Sequence, residues 1–153
     1  MNQQALSRIL ALPKAELHVH LEGTLTPEMA FDFACRHGHP LADDGMESIE
    51  SLYRHEDFHD FLDHYKVLLS LLQYPGDIYE LMLHYIELAR QSNMVYAEVL
   101  LTPVLLVSDE MPYSALMAIL DKGVEQAGAQ GLEMRFILDT VRQWGAECFE
   151  ATL

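Results

Sequence analysis

The sequence predicts an α/β fold built on a parallel sheet. Three observations carry this: a run near the start that alternates apolar and polar residues, two later β-branched and aliphatic runs, and segments of helical periodicity between them. Strands separated by helices return through right-handed crossovers, which set consecutive strands parallel.

Each element has its own signal. Residues 15–21 place Ala15, Leu17, Val19 and Leu21 on one side and Glu16, His18 and His20 on the other, the period of two that a strand imposes. Thr26-Pro27-Glu28 is a helix start, with an N-cap, a proline in the first turn and an acid at the positive end of the dipole. A helix over 27–37 ended by Gly38 follows. Residues 41–56 are polar, hold Asp43-Asp44-Gly45, and read as a loop with a short helix around 47–53.

Phe58, Phe61, Leu62, Tyr65, Leu68, Leu69 and Leu72 recur three or four residues apart, opposite Asp57, Asp60, Asp63 and Lys66, which predicts an amphipathic helix. Pro75-Gly76-Asp77 breaks it and opens a second helix over 78–91, terminated by Asn93. Residues 95–101 form the second strand, closed by Thr102-Pro103. A helix over 113–130 ends at Gly131, and a third strand spans 134–141. Residues 148–153 read as the first turns of another helix, so the chain is expected to stop inside an element, as a truncated portion of one domain spanning 1–153.

Composition narrows the function. Nine Lys and Arg against 24 Asp and Glu give a formal charge of −15, a surface that repels phosphate backbones, so no nucleic-acid partner is expected. Pro13 interrupts the apolar stretch at Ile9–Leu12, and Glu98 and Pro103 break the one at 94–107, so neither a signal peptide nor a membrane span is expected. The two cysteines lie far apart without CxxC spacing, which fits a reducing cytoplasm better than a disulfide framework. Cys35 reads as a small core residue.

His18 and His20, two apart in a strand, project from one face and can converge on one cation, and Glu22 continues that face. A catalytic zinc takes about three protein ligands plus water, so the pair is part of a site. An isolated HxH also arises by chance in a chain with eight histidines, and spacing alone leaves both readings open. Gly23 permits unusual backbone geometry and close approach of a ligand. The remaining histidines, including His37, His39, His55, His59, His64 and His84, read as surface residues.

The segment Leu12-Pro13-Lys14-Ala15-Glu16-Leu17-His18-Val19-His20-Leu21-Glu22-Gly23 resembles the "PKxELHxHLxG" opening of adenosine deaminases and close relatives, and Val95-Tyr96-Ala97-Glu98-Val99 resembles their second-strand "YxEV". The resemblance implies the N-terminal part, about three βα units, of a (β/α)8 TIM-type barrel. It implies that His18 and His20 bind one catalytic zinc per chain and that Glu22 stands where the family's acid contacts substrate. Zinc hydroxide would attack C6 of a 6-aminopurine and release ammonia. The family's other ligands and its acid and base come from later strands, so no catalytic residue is identifiable in this segment.

Adenosine-cleaving members usually carry aspartate where this chain has Glu22, while relatives acting on adenine or aminodeoxyfutalosine often carry glutamate. Asp139-Thr140-Val141-Arg142-Gln143-Trp144-Gly145 is similar to the aminodeoxyfutalosine branch. By the same resemblance, Phe58, Phe61, Leu62 and Tyr65 belong to an apolar lid over substrate, although periodicity alone does not separate a lid from ordinary core packing. Glu98, in an apolar strand, needs a partner, and Arg142 is the expected one. A different amidohydrolase and a non-catalytic, self-associating fragment are the competing expectations.

Overall fold

The computed structural model describes residues 2–141 and residue 145. Among them the order is α1 (Gln3–Ala11), β1 (Lys14–His20), α2 (Pro27–His37), α3 (Met46–Ser51), α4 (Phe58–Leu69), α5 (Pro75–Gln91), β2 (Met94–Leu101), α6 (Tyr113–Ala129) and β3 (Glu133–Leu138). Short 3-10 turns follow β1 and β2, at Leu21–Thr24 and Pro103–Leu105. The sheet is parallel throughout and ordered β1-β2-β3, as the strand-helix alternation requires.

One face of the sheet is covered. Ala97, Val99 and Leu101 of β2 and Met134 of β3 are buried in a core with Ile78, Leu81, Met82 and Ile86 of α5 and Leu116 and Leu120 of α6. The two helices approach closely at Gly123, where an added methyl would come within 1.8 Å of Met82 Cε. Tyr96, Glu98, Arg135 and Ile137 alternate onto the other, open face, and none of them is buried.

A register shift in β1 decides where the histidines point. Glu16 pairs with Ala97 but Val19 pairs with Val99, so β1 carries one more residue than β2 over this interval. An extra residue reverses the alternation. Glu16 stays on the helix-covered side, where its Oε2 accepts a 2.8 Å hydrogen bond from the Tyr85 hydroxyl of α5. His20, paired with Leu100, lies with His18 on the open side. The simple alternation that set Glu16 beside both histidines is corrected by this shift.

Other elements depart from the sequence reading for local reasons. Helix α1 was not anticipated. Asn2 caps it by accepting from Gln4 N at 2.9 Å, and it ends before Leu12-Pro13, where the α conformation is disfavoured. Lys14 Nζ then donates to the carbonyls of Leu10, Leu12 and Ser92, tying the start of β1 to the end of α5. Pro75 separates α4 from α5 as expected but is itself the first residue of α5, three residues before the expected start at 78. Asp77 Oδ2 accepts from the backbone N–H groups of Gln73 and Tyr74 at 3.0 and 2.9 Å.

Asp77 also meets His37 Nε2 at 2.9 Å, with both side chains nearly inaccessible, so His37 is not a surface histidine. Cys35 is exposed on α2 rather than part of the core. Glu98 accepts from the Tyr96 hydroxyl at 2.9 Å and faces Arg135 in register across β3. Its expected partner Arg142 lies outside the described residues, as does the helix expected over 148–153. β3 ends at Leu138, three residues short of the expected strand. No helix among the described residues is long and apolar enough to cross a membrane.

Candidate active site

The C-terminal ends of the strands converge on a cavity of about 520 Å³, within the size range of small-molecule sites. His18, Val19 and His20 of β1 line it, with Gly23 from the following turn, Thr102 just past β2, and Phe58, Phe61, Leu62 and Tyr65 of α4. Seven of the eight residues singled out from the sequence therefore meet in one space, although they lie as far as 47 positions apart in the chain. Thr102, which had been read only as a strand terminator, joins them.

The aromatic wall comes from α4. Phe58, Phe61 and Tyr65 follow one another along the helix with ring centres 6.1 and 5.8 Å apart, stacked. Within α4 only Leu69 is buried; Phe58, 68% exposed, borders the cavity without entering the core, while Tyr65 both lines the cavity and packs against the core. Gly23 has no positive φ, and a Cβ there would meet only His20 Cβ at 3.9 Å. The backbone does not demand glycine at this position, contrary to the conformational reason read from the sequence; what its missing side chain does is leave the cavity open.

Glu22, the eighth residue, sits in an adjoining recess of about 90 Å³ that shares Gly23, Phe61 and Tyr65 with the larger cavity. It is 4% exposed. Oε1 accepts from Thr102 N at 3.3 Å, and Oε2 has no hydrogen-bond partner among the described residues. Burial pushes its carboxyl up to about 7. Hydrogen bonds from its own N–H and that of Thr102 pull the other way, and the negative charge of Asp139 adds to the rise. Asp139, just past β3, accepts from the Thr102 hydroxyl in a short contact, and its N–H donates to the Leu101 carbonyl. Burial first, then the charges of Glu22 and Asp139, drive the Tyr65 phenol upward.

The chain supplies donors suited to a metal. The His18 and His20 rings lie 5.5 Å apart, edge to face, and neither is committed to a hydrogen bond among the described residues. Uncommitted neutral imidazoles fit zinc. No third His, Cys, Asp or Glu among the described residues brings a ligand atom into a cluster with them. From the sequence, Thr102 falls at a strand end and Asp139 in a family-like segment, and neither is assigned to the site. The available signal was positional: both stand just beyond a parallel strand, at the end where barrel enzymes gather their active sites.

A parallel α/β sheet with paired histidines at its C-terminal edge, walled by an aromatic helix, defines the architecture of a barrel amidohydrolase. The family model for adenosine deaminase matches residues 13–153, and the chain belongs to that family. It is 32% identical over 140 residues to an adenine deaminase of Paraburkholderia xenovorans, covering 92% of this chain and 40% of that protein. It is 33% identical over 144 residues to an adenine deaminase of Bordetella parapertussis, covering 94% and 45%.

Among solved structures, a zinc-bound amidohydrolase of Burkholderia ambifaria superposes with a TM-score of 0.82 at 26% identity, over 94% of this chain and 40% of that one. An adenine deaminase of Arthrobacter aurescens gives 0.69 at 28% identity, over 84% and 39%. The fold is thus part of a TIM-type amidohydrolase barrel, and the chain spans about 40% of the length of these relatives.

Proposed function

We propose that this chain serves hydrolytic deamination of a 6-aminopurine, with adenine-type free bases preferred over nucleosides, and that residues 1–153 belong to a single metallo-dependent hydrolase domain. The observation that carries the reading is the meeting of His18, His20 and the aromatic wall of α4 in one cavity at the C-terminal edge of the sheet. The adenine deaminases among the relatives, and the length of the acid at Glu22, support the free base. No Lys or Arg among the described residues lines the cavity, which suits an unphosphorylated substrate.

His18 and His20 would hold one zinc ion per chain, and the chemistry that ion supplies when bound is Lewis-acid activation of water near neutral pH. The rest falls to side chains. Phe58, Phe61, Leu62 and Tyr65 cover the flat purine and exclude bulk water, which strengthens each polar contact inside. Glu22, whose burial favours the neutral form, offers its free Oε2 to a polar edge of the substrate. Net hydrolysis replaces the C6 amine by oxygen and releases ammonia.

Ammonia release from adenine, adenosine and aminodeoxyfutalosine, measured on the full-length protein carrying these residues, tests the reading. We expect turnover of at least one, abolished in His18→Ala and His20→Ala together with zinc content. Absence of release from all three would overturn it in favour of a chain that binds metal without catalysis, a reading to which the two-ligand count lends weight. Unchanged zinc in both variants would remove the histidines from the site.

A further inference from the structure

We propose that His55, Asp60 and His64 form a second site for a divalent transition metal, separate from the His18–His20 pair, at the root of α4. One nitrogen of each histidine and one carboxylate oxygen lie within 4.8 Å of one another. The Nδ1 atoms of His55 and His64 are already at ligand spacing, 3.2 Å apart. The 3.2 Å contact with Asp60 Oδ1 uses the other nitrogen of His64, Nε2, so one ion draws on one of these two contacts and the remaining ligand closes in from within 4.8 Å. Tetrahedral zinc, with bonds of about 2.0–2.1 Å, sets its ligand atoms about 3.4 Å apart.

The donor set selects the class of ion. Two imidazoles and a carboxylate suit zinc, cobalt or nickel, whereas calcium and magnesium demand shells of oxygen. Asp60 and His64 are one helical turn apart on α4, so their side chains share a face. His55 reaches them from the segment before the helix. The carboxylate is oriented as metal-binding carboxylates are: Glu56 N–H donates to Asp60 Oδ2 at 2.9 Å, leaving Oδ1 toward His64. His64 and Asp60 are only part-exposed, and the chain's charge of −15 concentrates cations around it.

Occupancy has a consequence for the cavity. The His55 ring stands edge-on against Phe61, with ring centres 5.2 Å apart at 87°, and Phe61 is one of the cavity-lining aromatics. A metal held by His55 and α4 together ties the segment before the helix to its first two turns. It thereby fixes the aromatic wall without touching the paired histidines of β1.

Cobalt(II) titration of the full-length protein carrying H18A/H20A, followed by visible absorption, tests the site in the absence of the first. One equivalent should bind with the intense ligand-field bands of a four-coordinate nitrogen-containing site, and excess calcium should not displace it. Adding His55→Ala or His64→Ala should weaken binding by about 100-fold or more, and Asp60→Asn by at least about tenfold. His64→Gln keeps a polar side chain on the helix surface, so it gives the same answer should alanine loosen α4. No cobalt bound to the H18A/H20A protein, or unchanged affinity in the His64 variants, would overturn the proposal.

Discussion

Shortening Glu22 by one methylene gives a quantitative test of the recess. Its Oε1 sits 3.3 Å from Thr102 N, in a site where Glu22 is 4% and Thr102 7% exposed. Glu22→Asp withdraws the carboxylate by roughly 1.3 Å, beyond hydrogen-bonding distance of Thr102 N, and a water entering the recess of about 90 Å³ recovers part of the lost bond. An unpaired buried N–H costs about 1–3 kcal/mol, and the lost methylene about 0.8 kcal/mol. With water recovering part of the first term, the expected loss is about 1–3 kcal/mol.

Glu22→Gln keeps the length and an oxygen for Thr102, and it removes a charge that burial disfavours, so it should cost less than about 1 kcal/mol. Urea unfolding of both variants beside the parent in the full-length protein, at one pH and with a chelator present, reads the difference as a shift in midpoint at constant slope. In the full-length protein, Glu22→Asp should also change the ratio of kcat/KM between adenine and adenosine while zinc is retained. An aspartate variant as stable as the parent, or a glutamine variant less stable than the aspartate one, would refute the role assigned to the 3.3 Å contact. Equal rate losses on both substrates would end the selectivity argument.

Asp77→Ala should destabilise the chain by about 3–5 kcal/mol in the same unfolding assay, because it strands the N–H groups of Gln73 and Tyr74 and leaves buried His37 without its partner. Asp77→Asn, which keeps an acceptor, should lose less than half of that. β1, the open sheet face and the end of β3 expose Leu17, Ile137 and Leu138 at 60, 43 and 38%. The 153-residue chain should therefore sediment as an oligomer or aggregate in analytical ultracentrifugation, and a monodisperse monomer would show that this face tolerates water.

The order of strands and helices was legible in the sequence because hydrophobic periodicity is local: it depends on neighbours two, three or four positions away. The bounds of α2, the apolar face of α4 and the strand nature of β1 all follow from that spacing, together with caps such as Thr26 and Gly38. The nearness of His18 to His20 was legible for the same reason. Direction was not. One extra residue in β1 turns the histidines away from Glu16, and only pairing with β2 reveals it, since register is a property of two strands.

The same holds for the recess, where Glu22 meets Thr102 from 80 residues away and Thr102 meets Asp139 from 37. The pairing of His37 with Asp77, 40 residues on, and the exposure of Cys35 were likewise settled by packing. The sequence alone determined which chemical groups the chain carries and on which element each one rides. Tertiary structure decided which of them meet and how dry their meeting place is, because burial and the carboxyl shift it causes depend on every element packed around a residue.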